Sequence, residues 1–423
     1  MGSARCVQSE FTPQSAPQRF RNPNLESRTV KILIANIGST SLKYRLFDFS
    51  GGGAEMLTKG GFERVTDYAA TIEECLASLK EGGFIAGEQD LAAVGFKTVL
   101  AKDVSGCVEL NDDVLAAMEA YNDVAPAHNP PYIGGIRQFR DKMPNTPMVG
   151  LFETAFYQFS APASQRYAVP QEWFELGVRR LGFHGASHKF IAERSAELLG
   201  REDVAERARR LYVDGGATPV NGPTLRVVSC HLGGSSSITG IRNGAAIGNS
   251  MGLSPQSGLP MNNRVGDLDS MAIPFVMKQL GISADEAVEQ MCSEGGLKGI
   301  SGVSNDLRDI AEAAEEGNDR ARLALDCLAH SARHWIGAYH LDLNGLDALV
   351  FTAGIGENRA AIRTAICANL ENLGIELDAS ANDATQATEA VISKADSKVK
   401  VMVIPTNEEL VVALEVQRFL ENR

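Results

Sequence analysis

Short apolar runs alternate with longer amphipathic stretches along most of the chain. The amphipathic stretches have helical periodicity and lie at 67–81, 189–199, 271–280, 283–292 and in a long run that ends at His340, with a break near Gly317. The apolar runs have the length and composition of buried strands and lie at 31–37, 91–100, 147–152, 226–232, 348–352 and 399–404. Strands that alternate with helices predict an α/β fold.

The first apolar run leads into a tight turn and then into a second strand that ends at Phe47. The turn consists of Gly38, Ser39, Thr40 and Ser41. Backbone N–H groups of such a turn can form an anion-binding nest, to which Lys43 adds a positive charge. Asn36, at the end of the first strand, can offer a carbonyl oxygen to a metal ion. The chain has no G-x-x-x-x-G-K-[ST] motif, so we interpret this hairpin as a strand-turn-strand phosphate loop, which is typical of the actin, hexokinase and Hsp70 superfamily.

The same pattern recurs about 195 residues later. The strand at 226–232 is followed by a Gly/Ser turn at 233–237 and by an outgoing strand. Two matching copies predict an internal duplication with one phosphate loop in each half. A third strand, 348–352, leads into a glycine turn at 353–358, where the backbone can approach an adenosine group closely.

Five polar residues stand where they could take part in chemistry. Lys97 lies near the end of a buried strand, and it is either a solvated strand end or a contact for an anion. His128 is fixed between prolines, and Glu153 follows directly after a buried strand. His184 has glycines on both sides, and Arg264 lies in a long, aperiodic loop at 249–269.

Composition limits the range of functions. At 423 residues, two domains are expected. The net charge of −13 argues against nucleic acid or an anionic membrane as the main partner. Seven scattered cysteines without a C-x-x-C pair indicate reduced thiols in a cytoplasmic protein. We expect the polar segment 1–28 to be a disordered extension rather than a secretory signal.

Seven motifs together resemble the acetate kinase family of short-chain acyl kinases over about residues 30–420. They are N-x-G-S-x-S-x-K at 36–43, A-H-N-P-P at 127–131, G-F-H-G-x-S-H at 182–188, H-L-G at 231–233, S-N-D-x-R at 304–308, T-A-G-I-G-E-N at 352–358 and P-T-N-E-E-L at 405–410. The resemblance implies two duplicated ribonuclease-H-like domains of the actin/hexokinase/Hsp70 type, with the active-site cleft between them. The N-terminal domain would cover 29–178 and the C-terminal domain 179–408, with the last helix, 409–423, packed back on the first domain. The family is homodimeric.

The resemblance also implies a reaction and a set of roles. The family transfers the γ-phosphoryl group of ATP reversibly to a carboxylate, which gives an acyl phosphate. Mg²⁺ or Mn²⁺ would be held by Asn36 and Glu408, and catalysis would involve Glu153, His184 and Arg264. ATP or ADP would be bound by Ser39, Ser41, Lys43, His231, Leu232, Gly233, Gly234, Ser235, Asp306, Leu307, Arg308, Gly354, Ile355, Gly356, Glu357 and Asn358. The acid would be bound by Lys97, Val99, Ala127, His128, Phe183 and Pro255.

Several positions depart from the family pattern. The departures are Phe96-Lys97 for His-Arg, Glu153 for Asp, Tyr157 for His, Gly234-Ser235 for Asn-Gly, Asn262-Asn263 for Gly-Thr, and Leu307 for Phe. Lys97 keeps the positive charge of the family arginine but loses its planar fork. In the acid pocket, Ala127 stands where the family usually has leucine, which makes room for one or two more methylene groups unless a neighbouring side chain fills the gap. We therefore hypothesise that propionate is accepted at least as well as acetate.

The departures leave two alternatives to a short-chain acyl kinase. One is a catalytically weak paralogue with a binding or regulatory role, which Lys97, Glu153 and Gly234 favour. The other is a kinase with a changed acid or a different phosphoryl donor such as pyrophosphate. The family motif at 354–358 weighs against a changed donor.

Overall fold

A computed structural model describes residues 30–38, 40–126 and 128–423. The predicted extension 1–28 and two predicted ligand-binding residues, Ser39 and Ala127, lie outside this range. Within it, two six-stranded mixed sheets carry helices on their faces. This arrangement confirms the predicted α/β fold. No helix among the described residues is long and apolar enough to cross a membrane.

The first sheet contains β1 to β6. They are β1 (Lys31–Ile37), β2 (Ser41–Asp48), β3 (Glu55–Glu63), β4 (Leu91–Thr98), β5 (Cys107–Glu109) and β6 (Met148–Phe152). Their order in the sheet is β3-β2-β1-β4-β6-β5. β1 is antiparallel to β2 and parallel to β4, which is in turn parallel to β6.

The second sheet contains β7 to β12. They are β7 (Arg226–Leu232), β8 (Ser236–Arg242), β9 (Ala245–Asn249), β10 (Ala348–Thr352), β11 (Ala390–Val391) and β12 (Lys400–Val403). Their order, β9-β8-β7-β10-β12-β11, repeats the order of the first sheet strand for strand. The directions repeat as well, because β7 is antiparallel to β8 and parallel to β10. The internal duplication predicted from the two hairpins is therefore visible in the topology.

The helices fill the connections between strands. They are α1 (Tyr68–Glu81), α2 (Asp112–Glu119), α3 (Asn129–Lys142), α4 (Pro162–Gln165), α5 (Gln171–Glu175), α6 (Gly185–Leu198), α7 (Glu202–Asp214), α8 (Ala272–Leu280), α9 (Ala284–Glu289), α10 (Gly296–Ser301), α11 (Leu307–Glu315), α12 (Asp319–Leu343), α13 (Ala353–Asn358), α14 (Ala360–Cys367), α15 (Ala379–Ala384) and α16 (Glu408–Glu421). Single turns of 3₁₀-helix lie at Glu88–Asp90, Ala155–Tyr157 and Glu371–Leu373, and a π-helical turn follows α9 at Gln290–Glu294.

The C-terminal helix returns to the first sheet. Val412 and Val416 of α16 are fully buried in the core that β1, β4 and β6 form. Gly95 on β4 permits this close packing, because a Cβ there would lie 3.0 Å from Val416 Cγ2. The chain thus begins and ends on the same sheet. The predicted domain boundary at 178/179 stays a prediction.

A buried ion-pair cluster joins α16 to α6, which packs on the second sheet. Lys189 is fully buried, and its Nζ lies 2.7 Å from Glu193 Oε1 and 2.6 Å from Glu415 Oε1. Arg418 Nη1 lies 3.0 Å from Glu193 Oε1. Burial raises the pKa of Glu193, but Lys189 and Arg418 outweigh burial and lower it to about 2. The cluster ties together the helices that cover the two sheets.

Candidate active site

Lys97 lies at the centre of a cluster of charges where the two sheets meet. It is on β4, and Glu153 directly follows the neighbouring parallel strand β6, so the two side chains come from adjacent strand ends. Lys97 Nζ lies 2.8 Å from Glu153 Oε1 and also pairs with Glu408 Oε2, at the start of α16. The structure therefore favours the anion-contact interpretation of Lys97 over a solvated strand end.

The two carboxylates keep Lys97 protonated. Burial lowers the pKa of its ammonium group, but Glu153 and Glu408 outweigh burial and raise that pKa well above its usual value. Burial raises the pKa of Glu153 despite the nearby ammonium. Burial also acts to raise the pKa of Glu408, but attraction to Lys97 exceeds it and the pKa is lowered. The second oxygen of Glu153, Oε2, is buried without a hydrogen-bond partner within the protein.

Three histidines cluster at the adjacent wall, where His184 and His231 line the cavity described below and His188 is fully buried behind them. His184 begins α6 in a left-handed conformation with φ of 59°, and its ring stacks on that of His231 with centroids 4.0 Å apart. Ser237 Oγ lies 2.8 Å from His184 Nδ1 and 2.9 Å from Nε2 of His188. Ser187 Oγ lies 2.9 Å from His231 Nδ1. The serines therefore fix the orientation of all three rings.

The histidine cluster is neutral at neutral pH. Burial, followed by the effect of His231, lowers the pKa of both His184 and His188 well below its usual value. Burial also lowers the pKa of His231, to about 4. A neutral imidazole at His184 can donate one hydrogen bond without carrying a formal charge.

Arg264 approaches from the loop between β9 and α8. Its Nη1 donates to Ser235 Oγ at 3.2 Å and to the carbonyl oxygen of Pro255 at 3.4 Å. His128 caps α3, and its pKa is lowered by burial and then by the positive charges of Arg264 and Lys97. Arg264 and Lys97 thus lie close to His128, the proline-flanked histidine predicted from the sequence.

These residues surround a cavity of about 500 Å³. It is lined by Lys97, His184, His231, Gly233, Gly234, Ser235, Ala353, Gly354, Glu357, Thr406, Glu408 and Glu409. A second cavity of about 570 Å³ shares Gly233, Gly234 and Gly354 with it. The second cavity is also lined by Asn262, Asn305, Asp306, Leu307, Arg308, Ile355, Asn358, Arg359 and Gln386. Together they form one trough, which is lined by the predicted catalytic residue His184 and by most predicted nucleotide-binding residues. Glu153 and Arg264 line neither cavity, but they contact the lining residues Lys97 and Ser235.

The turn predicted at 353–358 is instead the short helix α13. The prediction of a turn was wrong. It rested on the two glycines among these six residues, but in this fold the preceding strand continues directly into a helix. Arg363, fully buried on α14, donates to the carbonyl oxygens of Gly356 and Glu357 and so fixes the end of α13. Sequence reasoning missed Arg363, whose partners can be identified only in the fold.

The opening hairpin contributes less to the trough than we expected from the sequence. Lys43 is exposed on β2, 3.4 Å from Glu63 Oε1, and it lines neither cavity. Asn36 points its Oδ1 to the hydroxyl of Tyr132, 2.7 Å away on α3. Ser41 O accepts the Gly38 N–H at 2.8 Å, which closes the turn. The structure does not bring Lys43 to the other predicted phosphate-binding residues.

An apolar cluster lies beside the trough and contains two of the predicted acid-pocket residues. Phe183 is buried in it and Val99 is partly buried. Met251 and Met261, which sequence reasoning missed, are fully buried in the same cluster, as is Leu100. These side chains supply an apolar wall beside Lys97.

Tyr157 supports this wall from behind. Its hydroxyl donates to the carbonyl oxygen of Phe183 at 2.6 Å and accepts from Asn249 Nδ2 at 2.9 Å. Gly182, with φ of +74°, packs so closely on the ring that a Cβ would lie 2.5 Å from Tyr157 Cδ2. Tyr157, which stands where the family has histidine, therefore has a structural role in positioning Phe183.

Comparisons with known proteins agree with this geometry. Residues 59–414 match the sequence model of the Acetokinase family. Acetate kinase from Treponema denticola is 40% identical over 412 residues, which cover 91% of this chain and 98% of that protein.

The chain belongs to the acetokinase family. Acetate kinase from Bacillus subtilis is 38% identical over 412 residues, covering 92% of this chain and 99% of the relative. The crystal structure of Porphyromonas gingivalis acetate kinase superposes with a TM-score of 0.81 at 33% identity, covering 92% of this chain and all of that one. A propionate kinase from Francisella tularensis superposes with a TM-score of 0.78 at 31% identity, covering 91% and 98%. As a family member, the chain is an ATP-dependent kinase with a carboxylate as its phosphoryl acceptor.

Proposed function

We propose that this chain forms an acyl phosphate from ATP and a short-chain carboxylate, acetate or propionate, in the trough around Lys97. The observation that carries the proposal is the convergence of Lys97, His184 and Glu408 on one cavity that continues into a second cavity lined by the predicted nucleotide-binding residues. A carboxylate is already an anionic nucleophile, so the reaction needs positioning and charge stabilisation rather than a strong base.

The residues of the trough divide this work. His184 engages Ser237 through Nδ1, so Nε2 is the atom that it presents to a phosphoryl oxygen. Arg264 supplies a fixed positive charge where negative charge develops. The acid lies with its carboxylate towards Lys97 and its alkyl group against Phe183 and Val99. The glycines at 233, 234 and 354 allow the phosphate chain to approach the backbone.

Mg²⁺ or Mn²⁺ fits the acidic end of this trough. The donors are hard oxygens: Glu408 lines the cavity, and Oε2 of Glu153 is buried without a partner within the protein. Asn36 lines neither cavity, and its Oδ1 accepts from Tyr132, so it would bind an ion through its second lone pair. We propose that Asn36 and Glu408 hold the ion. When bound, the ion neutralises charge on the phosphate oxygens of ATP.

A hydroxamate assay with ATP, Mg²⁺ and a panel of carboxylates tests the proposed reaction. We expect acyl phosphate from acetate and propionate, and a loss of at least 100-fold in kcat on Arg264→Ala because one charged stabilising group is removed. Arg242→Ala is the matched control, since Arg242 is exposed on β8 and donates to the carbonyl oxygen of Asp342. If no acid gives acyl phosphate, the result would favour the alternative of a catalytically weak paralogue. The pairing of Lys97 with two carboxylates supports that alternative.

The acid preference is a separate proposal. Phe183, Met251 and Met261 form the apolar wall. The family resemblance assigns Ala127 to the acid pocket in place of the usual leucine, and this smaller side chain would admit a longer acid. Each extra buried methylene group contributes about 0.8 kcal/mol, or roughly a fourfold gain. We expect kcat/KM for propionate to equal or exceed that for acetate, and a strong preference for acetate would contradict this.

We further propose a cytoplasmic homodimer that binds neither nucleic acid nor membranes. The thiols support the cytoplasmic location, because the six cysteines among the described residues, of which Cys75 is the first, are all free. The face of α8 supports the dimer. Phe275 and Leu280 on α8 are 63% and 64% exposed, the preceding N-cap residue Met271 is 69% exposed, and the helix buries none of its residues.

A further inference from the structure

Lys97 neutralises part of the acidic site that a divalent cation would use. Its single ammonium group contacts Glu153 and Glu408 together, so the three side chains carry a net charge of −1 rather than the −2 of the carboxylates alone. All three side chains are largely buried, with exposed fractions of 23% for Lys97, 7% for Glu153 and 23% for Glu408. Charges in such a place interact strongly because solvent screens them little.

We propose that Lys97, which pairs with Glu153 and Glu408, is an internal counter-ion that competes with the divalent cation for Glu408, and that metal binding releases Lys97 to the anionic substrate. This inference rests on the proposed function, since it concerns the metal of the same site. It makes the acid-binding role proposed for Lys97 depend on the metal.

The chemistry of lysine suits this competition. An ammonium group is a compact point charge with three rotatable donors, so it can satisfy two carboxylates from different elements at once. An arginine fork instead pairs with one carboxylate in a planar, bidentate way. The substitution at position 97 therefore lets one side chain connect β4, the end of β6 and the start of α16.

The competition also couples two binding events. While Lys97 pairs with Glu153 and Glu408, its charge is compensated and attracts an incoming carboxylate weakly. A divalent cation on Glu408 takes over that compensation and leaves the ammonium group available. By linkage, the metal must then tighten acid binding by the same factor as the acid tightens metal binding.

Titration with Mn²⁺ alone, followed by electron paramagnetic resonance of the free ion, tests the competition without turnover. We expect Lys97→Met to bind Mn²⁺ at least 10-fold more tightly than the unmodified chain. Lys97→Arg keeps the charge but pairs with one carboxylate at a time, so its affinity for Mn²⁺ should lie between those of the unmodified chain and Lys97→Met. The matched control is Lys298→Met. Lys298 is a partly exposed lysine on α10 that pairs with Glu294. Equal or weaker Mn²⁺ binding by Lys97→Met would overturn the inference.

Propionate binding to the unmodified chain gives a second test, which does not require a variant to fold correctly. Calorimetric titration with propionate should show at least fivefold tighter binding with saturating Mn²⁺ than without it, and equal affinities would overturn the inference. A hydroxamate assay on the same preparation separates the two claims. Acyl phosphate formation without the coupling rejects only the role of Lys97, whereas the absence of acyl phosphate rejects the proposed function.

Discussion

At the scale of single residues, the sequence indicated which side chains matter but not how they pair. Glu153, His184 and Arg264 were predicted from a strand end, flanking glycines and an aperiodic loop, and each lies at or next to the trough. Their partners could not be predicted, because Lys97 and Glu408 are 311 residues apart in the chain. The hydrogen bond between Tyr157 and Phe183 could not be predicted either, because only the fold brings these two residues together.

The buried histidines make stability depend on pH. The unfolded chain protonates its histidines near pH 6.5, whereas burial lowers the pKa of His231 to about 4 and those of His184 and His188 well below the usual value. Their contribution to stability is therefore fully present above pH 6.5 and is lost as the pH falls towards 4. Each adds a slope of about 1.4 kcal/mol per pH unit in that window.

Urea unfolding between pH 7.5 and 5.0 measures this dependence. We expect the free energy of unfolding to fall steadily below pH 6.5, and to fall less steeply in His231→Gln. His330→Gln, which removes an exposed histidine on α12, should leave the slope unchanged. A flat profile in the unmodified chain would contradict the neutral state assigned to the cluster.

At the scale of elements, strands were predicted more accurately than helix ends. The runs at 226–232 and 348–352 match β7 and β10 residue for residue, because strands buried on both faces are predominantly apolar. The helix expected at 189–199 begins four residues earlier, at Gly185. Its first turn contains glycine, serine and one histidine, His188, which have poor helix propensity, and tertiary contacts of His188 and of the N-cap residue His184 outweigh that preference.

The buried cluster between α6 and α16 should account for much of the cohesion between these helices. Lys189→Met leaves Glu415 and Glu193 with one cation fewer, which should lower the free energy of unfolding by about 3 kcal/mol. Adding Glu415→Met to that variant should restore part of the loss, since the uncompensated buried charge is removed. Lys298→Met should change the midpoint of urea unfolding little. Equal midpoints for Lys189→Met and Lys298→Met would contradict a structural role for the cluster.

At the scale of the whole molecule, the duplication was predicted because each half opens with the same strand-turn-strand pattern. The matching order of six strands in both sheets confirms it. How the two sheets face each other could not be predicted from periodicity, since it depends on α16 returning to β1 and β4. The position of Lys43 shows the same limit, because a charge at a hairpin tip can face the trough or the solvent.

The exposed face of α8 predicts the assembly state. We expect the chain to elute as a dimer in size-exclusion chromatography with light scattering, and Phe275→Glu to give monomers by placing a charge in an apolar interface. Leu341→Glu changes a leucine on α12 that is even more exposed, at 79%, and should leave the dimer intact. A dimer that Phe275→Glu does not affect would show that another surface forms the contact.

We infer that this trough transfers the γ-phosphoryl group of ATP to a carboxylate despite the family departures at Lys97 and Glu153. Phosphorus NMR of the purified chain with ATP, Mg²⁺ and propionate tests it most directly, because it identifies the product. We predict that the γ-phosphate signal of ATP decreases while signals of ADP and of an acyl phosphate increase together, and that ATP persists when the acid is omitted. Unchanged ATP, or its conversion to inorganic phosphate irrespective of the acid, would contradict the account.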